Sequence, residues 1–318
     1  MTGVRTPGRL LAVSDLHASV RGNKELVENL RPQSPGDWLV VAGDVAETAE
    51  EVHRTMAMLA DRFETVVWTP GNHELWTLPS DGLGLRGEAR YLHLVEMLGE
   101  LGVVTPEDPY PVFRSAHGPR RIAPLFLLYD YTWLPEGATS KAQGMAVAKE
   151  TGLAFKDEAL LHPDPYPSRE AWCSARVAHT ERRLAQVDDP DVPLVLVNHY
   201  PLVREPTRVL RHPHLAMWCG TRRTESWHRR FHVACVLYGH LHIPRRTVHD
   251  GVPFHEVSIG YPREWQRHGH PHGVLRRIDL SAATGLPAGV DPSGGIGPSG
   301  AIGRPLEDGG PSRGAGRA

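Results

Sequence analysis

Short, strongly apolar runs recur along the chain and restrict its fold more than any other feature. Each has the length of a β-strand and is bounded by Gly, Pro or polar residues. Their near-continuous hydrophobicity, without the alternation of a half-buried strand, predicts strands that are covered on both faces. The runs are LLAV (10–13), WLVVA (38–42), TVVW (65–68), PLFLLY (124–129), PLVLV (193–197) and CVLY (235–238).

Two stretches between these runs have the periodicity of amphipathic helices. In residues 47–63, apolar side chains recur every three or four positions, at Val52, Met56, Leu59 and Phe63. Residues 168–187 begin with Ser168, a good N-cap, and Glu170 follows in the first turn, where the helix dipole favours an acid. Helices that alternate with buried strands indicate an α/β architecture.

The composition narrows the class of protein and its partners. With 40% apolar and 23% charged residues the chain is typical of globular proteins. Its formal net charge of −2 gives no reason to expect a nucleic-acid or anionic-membrane partner. Three cysteines without paired spacing favour a reducing compartment, and the run at 10–13 is too short for a signal peptide. No run approaches the roughly 20 apolar residues of a membrane helix. We therefore expect a cytoplasmic protein.

Two regions depart from the α/β pattern. Residues 105–167 are rich in Pro and Gly, and we interpret them as a lid-like insertion beside the core sheet. Residues 281–318 contain too little apolar surface to offset the entropy of ordering, which predicts a disordered Gly/Pro-rich tail. The expected organisation is one domain over residues 1–280 followed by that tail.

Polar residues of metal-binding types occur in five short segments near the strands. They are Asp15 and His17 in SDLH, Asp44 in AGDVAE, Asn72 and His73 in PGNHE, His199 in VNHY, and His240 and His242 in YGHLH. Because parallel strands bring their carboxyl ends to one edge of a sheet, these side chains are expected to converge. Asp15 and His17, two apart in an extended chain, would point to the same side. Each segment alone is weak evidence, whereas the ordered combination of all five is specific.

The donor types indicate which ions would bind. Carboxylate oxygens, an amide oxygen and imidazoles together suit first-row metals such as Mn, Fe or Zn. The set is too large for one tetrahedral ion, but it suits two divalent or trivalent ions that share one bridging carboxylate.

The series resembles the calcineurin-like metallophosphoesterases, whose pattern is DxH, GDxx(D/E), GNH(D/E), H and GHxH. Every element is present and in order. The resemblance implies a four-layer α/β/β/α sandwich of two mixed β-sheets flanked by helices. It also implies two ligand sets that share one carboxylate. The first is Asp15, His17, Asp44 and His242, and the second is Asp44, Asn72, His199 and His240.

The resemblance further implies how such a site works. Two ions clamp the phosphoryl group and acidify a water, and the metal-bound hydroxide attacks phosphorus in line. His73 would be catalytic rather than a ligand, protonating the leaving alkoxide or stabilising the equatorial oxygens. Glu47 occupies the acidic position that supports this histidine, although many relatives have Asp there. The expected activity is that of a metal-dependent phosphoesterase.

Further segments resemble the phosphopantetheinyl hydrolase branch, whose members remove the phosphopantetheine arm from carrier proteins. They span roughly residues 9–267 and are WLVVAGDVAE (38–47), PGNHELW (70–76), LLYDYTWLPEG (127–137), YPSREAWC (166–173), MWCGT (217–221) and YPREW (261–265). This likeness implies a holo acyl or peptidyl carrier protein as substrate, with Arg263 as the best candidate for a phosphate contact. Aromatic residues for an arm-binding groove would come from Tyr129, Tyr131, Trp133, Trp218, Trp227, Tyr261 and Trp265.

Two alternatives stay open at this point. One is a phosphodiesterase or phosphatase that acts on a small molecule or nucleotide. The other is a non-catalytic binding protein built on the same fold, which the complete ligand set and His73 argue against.

Overall fold

Two mixed β-sheets form the centre of the fold. The structure, a computed structural model, describes residues 8–152, 155–269 and 273–281. The first sheet has the strand order β10-β1-β2-β3, in which β1, β2 and β3 are parallel and β10 is antiparallel to β1. Its strands are β1 (Leu10–Val13), β2 (Trp38–Val41), β3 (Thr65–Trp68) and β10 (Arg276–Arg277).

The second sheet has six strands in the order β4-β5-β6-β7-β9-β8. Its four central strands, β5, β6, β7 and β9, are parallel, and the two edge strands are antiparallel to their neighbours. The strands are β4 (Val112–Ser115), β5 (Gly118–Pro124), β6 (Leu194–Val197), β7 (Val233–Tyr238), β8 (Arg245–His249) and β9 (Val252–Glu256).

Helices flank the two sheets. The helices of the described residues are α1 (Arg21–Glu28), α2 (Ala49–Ala60), α3 (Gly87–Glu100), α4 (Lys141–Glu150), α5 (Lys156–Leu160), α6 (Arg169–Ala185), α7 (Trp227–Arg230) and α8 (Pro262–His268). Ser168 caps α6 as predicted, because its side chain accepts a hydrogen bond from the N–H of Ala171 at 3.2 Å. In the part of the chain that the structure describes, no helix is long and apolar enough to cross a bilayer.

Alternate strand residues divide the core into layers. One cluster lies between the sheets and includes Leu10, Val40, Val67, Ile122, Val195 and Leu237. The neighbouring strand residues belong to a larger cluster that also contains helix residues such as Val52 of α2 and Val177 of α6. Burial on both faces explains why the sequences of these strands are almost entirely apolar. The predicted four-layer sandwich is confirmed.

The segment 105–167, which the sequence predicts as a lid-like insertion, contains β4 and β5, two strands of the six-stranded sheet. The insertion therefore stays a prediction for the later part of this segment. The prediction of a strand at residues 124–129 is wrong, because β5 ends at Pro124 and the buried residues that follow have no regular secondary structure. A short buried run has the same hydrophobicity whether it is a strand or a packed loop. The predicted tail, apart from Ser281, lies outside the described residues.

Candidate metal centre

The loops after five parallel strands meet at one edge and hold the predicted metal-binding residues. Hydrogen bonds between main-chain atoms join these loops: His17 N donates to Asp44 O at 3.0 Å, and Gly239 N donates to His199 O at 2.9 Å. A bridge between Ser14 and Ser258 links the ends of the two sheets. The structure therefore brings together all seven residues that the sequence proposes as ligands.

The backbone at this edge is unusual. Five of the seven residues have positive φ angles, between 41° and 70°: Asp15, His17, Asp44, His240 and His242. Non-glycine residues rarely adopt this conformation, and each instance costs on the order of 1 kcal/mol. The expectation that Asp15 and His17 converge as members of an extended chain is therefore wrong. The strand has already ended at Val13, and left-handed turns aim both side chains inward.

The first cluster consists of Asp15, His17 and His242. The Nε2 atom of His242 lies 2.9 Å from Asp15 Oδ1 and 3.3 Å from His17 Nε2. The other ring nitrogen of His242, Nδ1, donates to Glu264 Oε2 at 2.7 Å. Since Nδ1 carries the proton in that hydrogen bond, the lone pair of a neutral His242 is on Nε2 and faces the cluster.

The second cluster is built around His199. Its Nδ1 donates to the carbonyl oxygen of Ala42 at 2.9 Å, so that the lone pair of the neutral ring is on Nε2. This Nε2 lies 3.2 Å from Asn72 Oδ1, 3.2 Å from His240 Nδ1 and 3.4 Å from Asp44 Oδ2. Four electron-pair donors therefore converge, which is the arrangement that a cation requires.

Asp44 lies between the two clusters. Its Oδ2 atom is 3.4 Å from His199 Nε2 and 4.0 Å from His17 Nε2. The N–H of His73 donates to the other oxygen, Oδ1, at 2.9 Å, which orients the carboxylate. This position suits a carboxylate shared by two ions.

Burial and charge at the site both favour bound cations. Burial alone would raise the pKa of the Asp15 and Asp44 carboxyls. His242 beside Asp15 and His199 beside Asp44 outweigh burial, so both pKa values lie below the usual range. Burial lowers the pKa of His199, yet the Asp44 carboxylate outweighs it and raises that pKa to about 10. Burial and His199 together lower the pKa of His240 to about 3. Two buried anions thus need positive partners, and metal ions in place of imidazole protons satisfy that need.

His73 is next to the clusters but is oriented by different contacts. Its Nδ1 lies 3.1 Å from Glu47 Oε1, and its ring packs on Trp76 with a centroid separation of 3.7 Å. Its Nε2 lies 3.9 Å from Asp44 Oδ2. Burial lowers the pKa of His73, but the Asp44 and Glu47 carboxylates outweigh it, so the net shift is upward. Glu47 is thus placed where the sequence expected a supporting acid, with a longer distance of 3.8 Å to His17 Nδ1.

Three acids that support the site were not assigned from the sequence. Glu74 accepts hydrogen bonds from the N–H groups of Asp44, Val45 and Gly71 at 2.9–3.0 Å and so joins the loops after β2 and β3. Burial, reinforced by Asp44, raises the pKa of Glu74 to about 7. Glu74 could have been recognised, because it ends the PGNHE segment.

The other two acids, Glu264 and Asp157, are less clearly marked in the sequence. Glu264, which orients His242, directly follows Arg263 in YPREW. Asp157 accepts a hydrogen bond from Asn72 Nδ2 at 3.0 Å, although it lies in the segment 105–167, where no motif marks it. Both residues fix a proposed ligand without belonging to either cluster.

A groove of about 390 Å³ opens from the second cluster. Asn72, His240 and His242 face it from the clusters, while Phe155, Leu210, Leu215 and Trp218 supply apolar walls and Lys156 supplies a cation. Of the seven aromatic residues expected here, Trp218 and Tyr261 line the groove and Trp265 is outside its lining. The other four, Tyr129, Tyr131, Trp133 and Trp227, are buried in the core. Arg263 is outside the groove lining, with its side chain 79% exposed beside Glu264.

The fold and site define a class of protein. A family model described as calcineurin-like phosphoesterase matches residues 8–244, which is most of the chain and includes every proposed ligand. The chain therefore belongs to the calcineurin-like phosphoesterase family. The family fold implies a binuclear metal centre, and the two clusters provide the candidate ligands.

Comparison with individual proteins gives a more specific likeness. The chain is 54% identical over 269 residues to the [acyl-carrier-protein] phosphodiesterase PptH of Mycobacterium tuberculosis, covering 85% of this chain and 82% of PptH. The crystal structure of phosphopantetheinyl hydrolase (PptH) from the same organism matches with a TM-score of 0.85 and 53% identity, covering 89% of this chain and all of that one. The resemblance to this family and branch is confirmed.

Proposed function

We propose that the protein hydrolyses the phosphodiester between phosphopantetheine and the serine of a holo acyl or peptidyl carrier protein. The observation that carries the proposal is the groove, which joins an apolar, aromatic wall to the two ligand clusters. A slender substrate arm can lie along such a wall while its phosphate reaches the clusters. The 54% identity to PptH, whose name describes the same activity, supports this substrate class.

The proposal gives each residue of the clusters a role. Asp15, His17, Asp44 and His242 would hold one ion, and Asp44, Asn72, His199 and His240 would hold the other. When bound, the two ions neutralise phosphoryl charge and lower the pKa of water. The mixture of oxygen and nitrogen donors favours Mn or Fe, and Zn also suits it.

His73 acts as the general acid in this proposal. Its Nδ1–H is directed to Glu47 at 3.1 Å, which leaves Nε2 facing the reaction centre. As an imidazolium, His73 donates the Nε2 proton to the serine oxygen that leaves phosphorus, and water supplies the new oxygen on the phosphate. The Glu47 carboxylate orients the ring and favours its charged form.

Two basic residues are candidates for contacts to the rest of the substrate. Arg263 stays a prediction for the phosphate contact, and Lys156 is the cation that lines the groove itself. A cytoplasmic location is part of the same proposal. The three cysteines are buried and unpaired, as in proteins of a reducing compartment.

Intact-mass analysis tests the substrate class. The full chain, loaded with Mn²⁺, is incubated with a holo acyl carrier protein, a cyclic nucleotide and bis(p-nitrophenyl) phosphate in parallel reactions. We expect efficient conversion of the carrier to its apo mass, and no conversion by Asp44→Asn, which keeps the volume of the shared carboxylate but removes its charge. Rapid hydrolysis of the cyclic nucleotide with an unchanged carrier mass would favour the small-molecule alternative.

A further inference from the structure

Two adjacent acids on the short helix α5 support different parts of the site. Asp157 is buried, and its Oδ1 atom accepts hydrogen bonds from Asn72 Nδ2 at 3.0 Å and from Trp76 Nε1 at 2.6 Å. Its Oδ2 atom accepts from the hydroxyl of Tyr129 at 2.9 Å. A carboxylate only accepts, so the amide nitrogen of Asn72 must face Asp157 and its oxygen must face His199.

Glu158 contacts Trp218, a residue of the groove wall, and Tyr131 instead. Its Oε1 atom accepts from Trp218 Nε1 at 2.8 Å and from the hydroxyl of Tyr131 at 2.7 Å. The Trp218 indole in turn stacks on Phe155, with ring centroids 3.7 Å apart and planes 8° from parallel. Phe155 and Trp218 both line the groove, so Glu158 fixes one of its walls.

The helix itself is held firmly from outside the site. Arg169 donates to the carbonyl oxygens of Asp157 at 2.6 Å and Leu161 at 2.8 Å, and it pairs with Glu158 Oε2 at 2.9 Å. The N–H of Thr77 donates to Leu160 O at 2.9 Å, which ties α5 to the loop after β3. Asp157 and Glu158 are therefore presented by one rigid element.

We propose that α5 is a positioning element that aligns a metal ligand with the substrate groove. Asp157 positions Asn72 for the second ion, and Glu158 positions Trp218 against the substrate arm. The Asp157 half concerns metal binding alone, whereas the Glu158 half rests on the proposed carrier-protein function. Neither residue touches the reacting atoms.

The Asp157 half is tested by Mn²⁺ binding. We expect Asp157→Ala to weaken binding of the second Mn²⁺ by about 10- to 100-fold, as loss of an outer-shell partner does. Asp157→Asn, which keeps an acceptor but loses the charge, is expected to fall between Ala and wild type. Tyr129→Phe is the matched control, because it removes a donor from Asp157 without removing the partner of Asn72. We expect it to lower the melting temperature and to retain both ions.

The Glu158 half is tested by substrate selectivity. The measured quantity is the ratio of kcat/KM for holo carrier protein to kcat/KM for bis(p-nitrophenyl) phosphate. We expect Glu158→Ala to retain two Mn²⁺ per chain and to lower this ratio by about fivefold or more, through KM for the carrier. Glu158→Gln keeps an acceptor for Trp218 and is expected to recover most of the ratio.

Each half has an outcome that overturns it. Wild-type Mn²⁺ affinity in Asp157→Ala overturns the first half, and if that variant does not fold, wild-type affinity in Asp157→Asn does so. An unchanged selectivity ratio in Glu158→Ala overturns the second half. A wild-type protein that cleaves bis(p-nitrophenyl) phosphate but not holo carrier protein overturns the Glu158 half together with the proposed function, while Asp157 is still judged on metal binding.

Discussion

His240 and His242 are separated by one residue but face different ligand clusters. His242 Nε2 lies 2.9 Å from Asp15 Oδ1, whereas His240 Nδ1 lies 3.2 Å from His199 Nε2. The strand that precedes them ends at Tyr238, and both residues have positive φ, so strand alternation does not apply. Leu241 between them is buried in the core cluster. The two imidazoles are therefore available to two separate ions.

This separation predicts unequal metal loss from two single variants. His240→Ala should deplete mainly the ion of the His199 cluster, and His242→Ala mainly the ion of the Asp15 cluster, because each removes a donor from one cluster only. Titration of each variant with Mn²⁺, followed by elemental analysis, should show one weakened and one nearly intact site. Equal loss of both ions from each variant would count against the split assignment.

His73 should affect turnover rather than metal content. We expect His73→Asn to bind both Mn²⁺ ions and to lower kcat by about 100- to 10,000-fold, the usual contribution of a positioned general acid. His53→Asn on α2 is the matched control, because that histidine is exposed and outside the site. Loss of a metal ion from His73→Asn would refute the role of His73 as an acid.

The site leaves no room for a side chain at Gly239. A Cβ atom there would lie 2.0 Å from Ser14 Oγ and 2.3 Å from Asp15 Oδ2. We expect Gly239→Ala to destabilise the fold by about 1–3 kcal/mol and to weaken the ion bound at Asp15. Gly99→Ala, where a Cβ meets nothing within 4 Å, should stabilise helix α3 by up to about 1 kcal/mol. Urea unfolding and Mn²⁺ titration of both variants check this, and wild-type metal binding by Gly239→Ala would contradict it.

Asp37 should make stability depend on pH at a distance from the metal centre. Burial raises the pKa of its carboxyl, but hydrogen bonds from Arg9 and from the N–H groups of Gln33 and Ser34 outweigh it, so the folded-state pKa is lowered. The stabilisation is therefore present above the unfolded pKa of about 3.9 and is lost as pH falls through the folded value.

We expect Asp37→Asn to lower the free energy of unfolding by about 2 kcal/mol at pH 7 and by progressively less below about pH 4. Urea unfolding across this pH range measures the difference from wild type. Asp61 lies at an exposed helix end. The free energy of unfolding of Asp61→Asn should stay within about 0.5 kcal/mol of the wild-type value throughout this pH range. A constant cost for Asp37→Asn from pH 7 to pH 3 would contradict the prediction.

The sequence predicts the parts of the fold that carry strong and simple signals. The runs at β1, β2, β3, β6 and β7 are recognisable because strands buried on both faces contain few polar residues. Strands β8 and β9 were not predicted. Arg245–His249 is a polar edge strand, and Val252–Glu256 contains Pro253 and two polar residues, so neither has the expected hydrophobicity.

The residues of the site were predictable, but their geometry and support were not. Motif order identifies Asp15 and His242, yet the left-handed backbone that directs them depends on contacts between distant loops. No sequence motif identifies Asp157, because its role arises only when helix α5 packs beside Asn72. Arg263 was favoured from its segment alone, whereas the structure places the neighbouring Glu264 against His242.

The proposed reaction is tested most directly by identifying both products after hydrolysis in ¹⁸O-labelled water. The Mn²⁺-loaded protein is incubated with holo acyl carrier protein, and the carrier and the released arm are weighed in the same reaction. We expect a carrier whose serine has lost the phosphate and a released phosphopantetheine that has gained one ¹⁸O atom. A carrier that retains phosphate, or one whose mass is unchanged while bis(p-nitrophenyl) phosphate is cleaved, would contradict it.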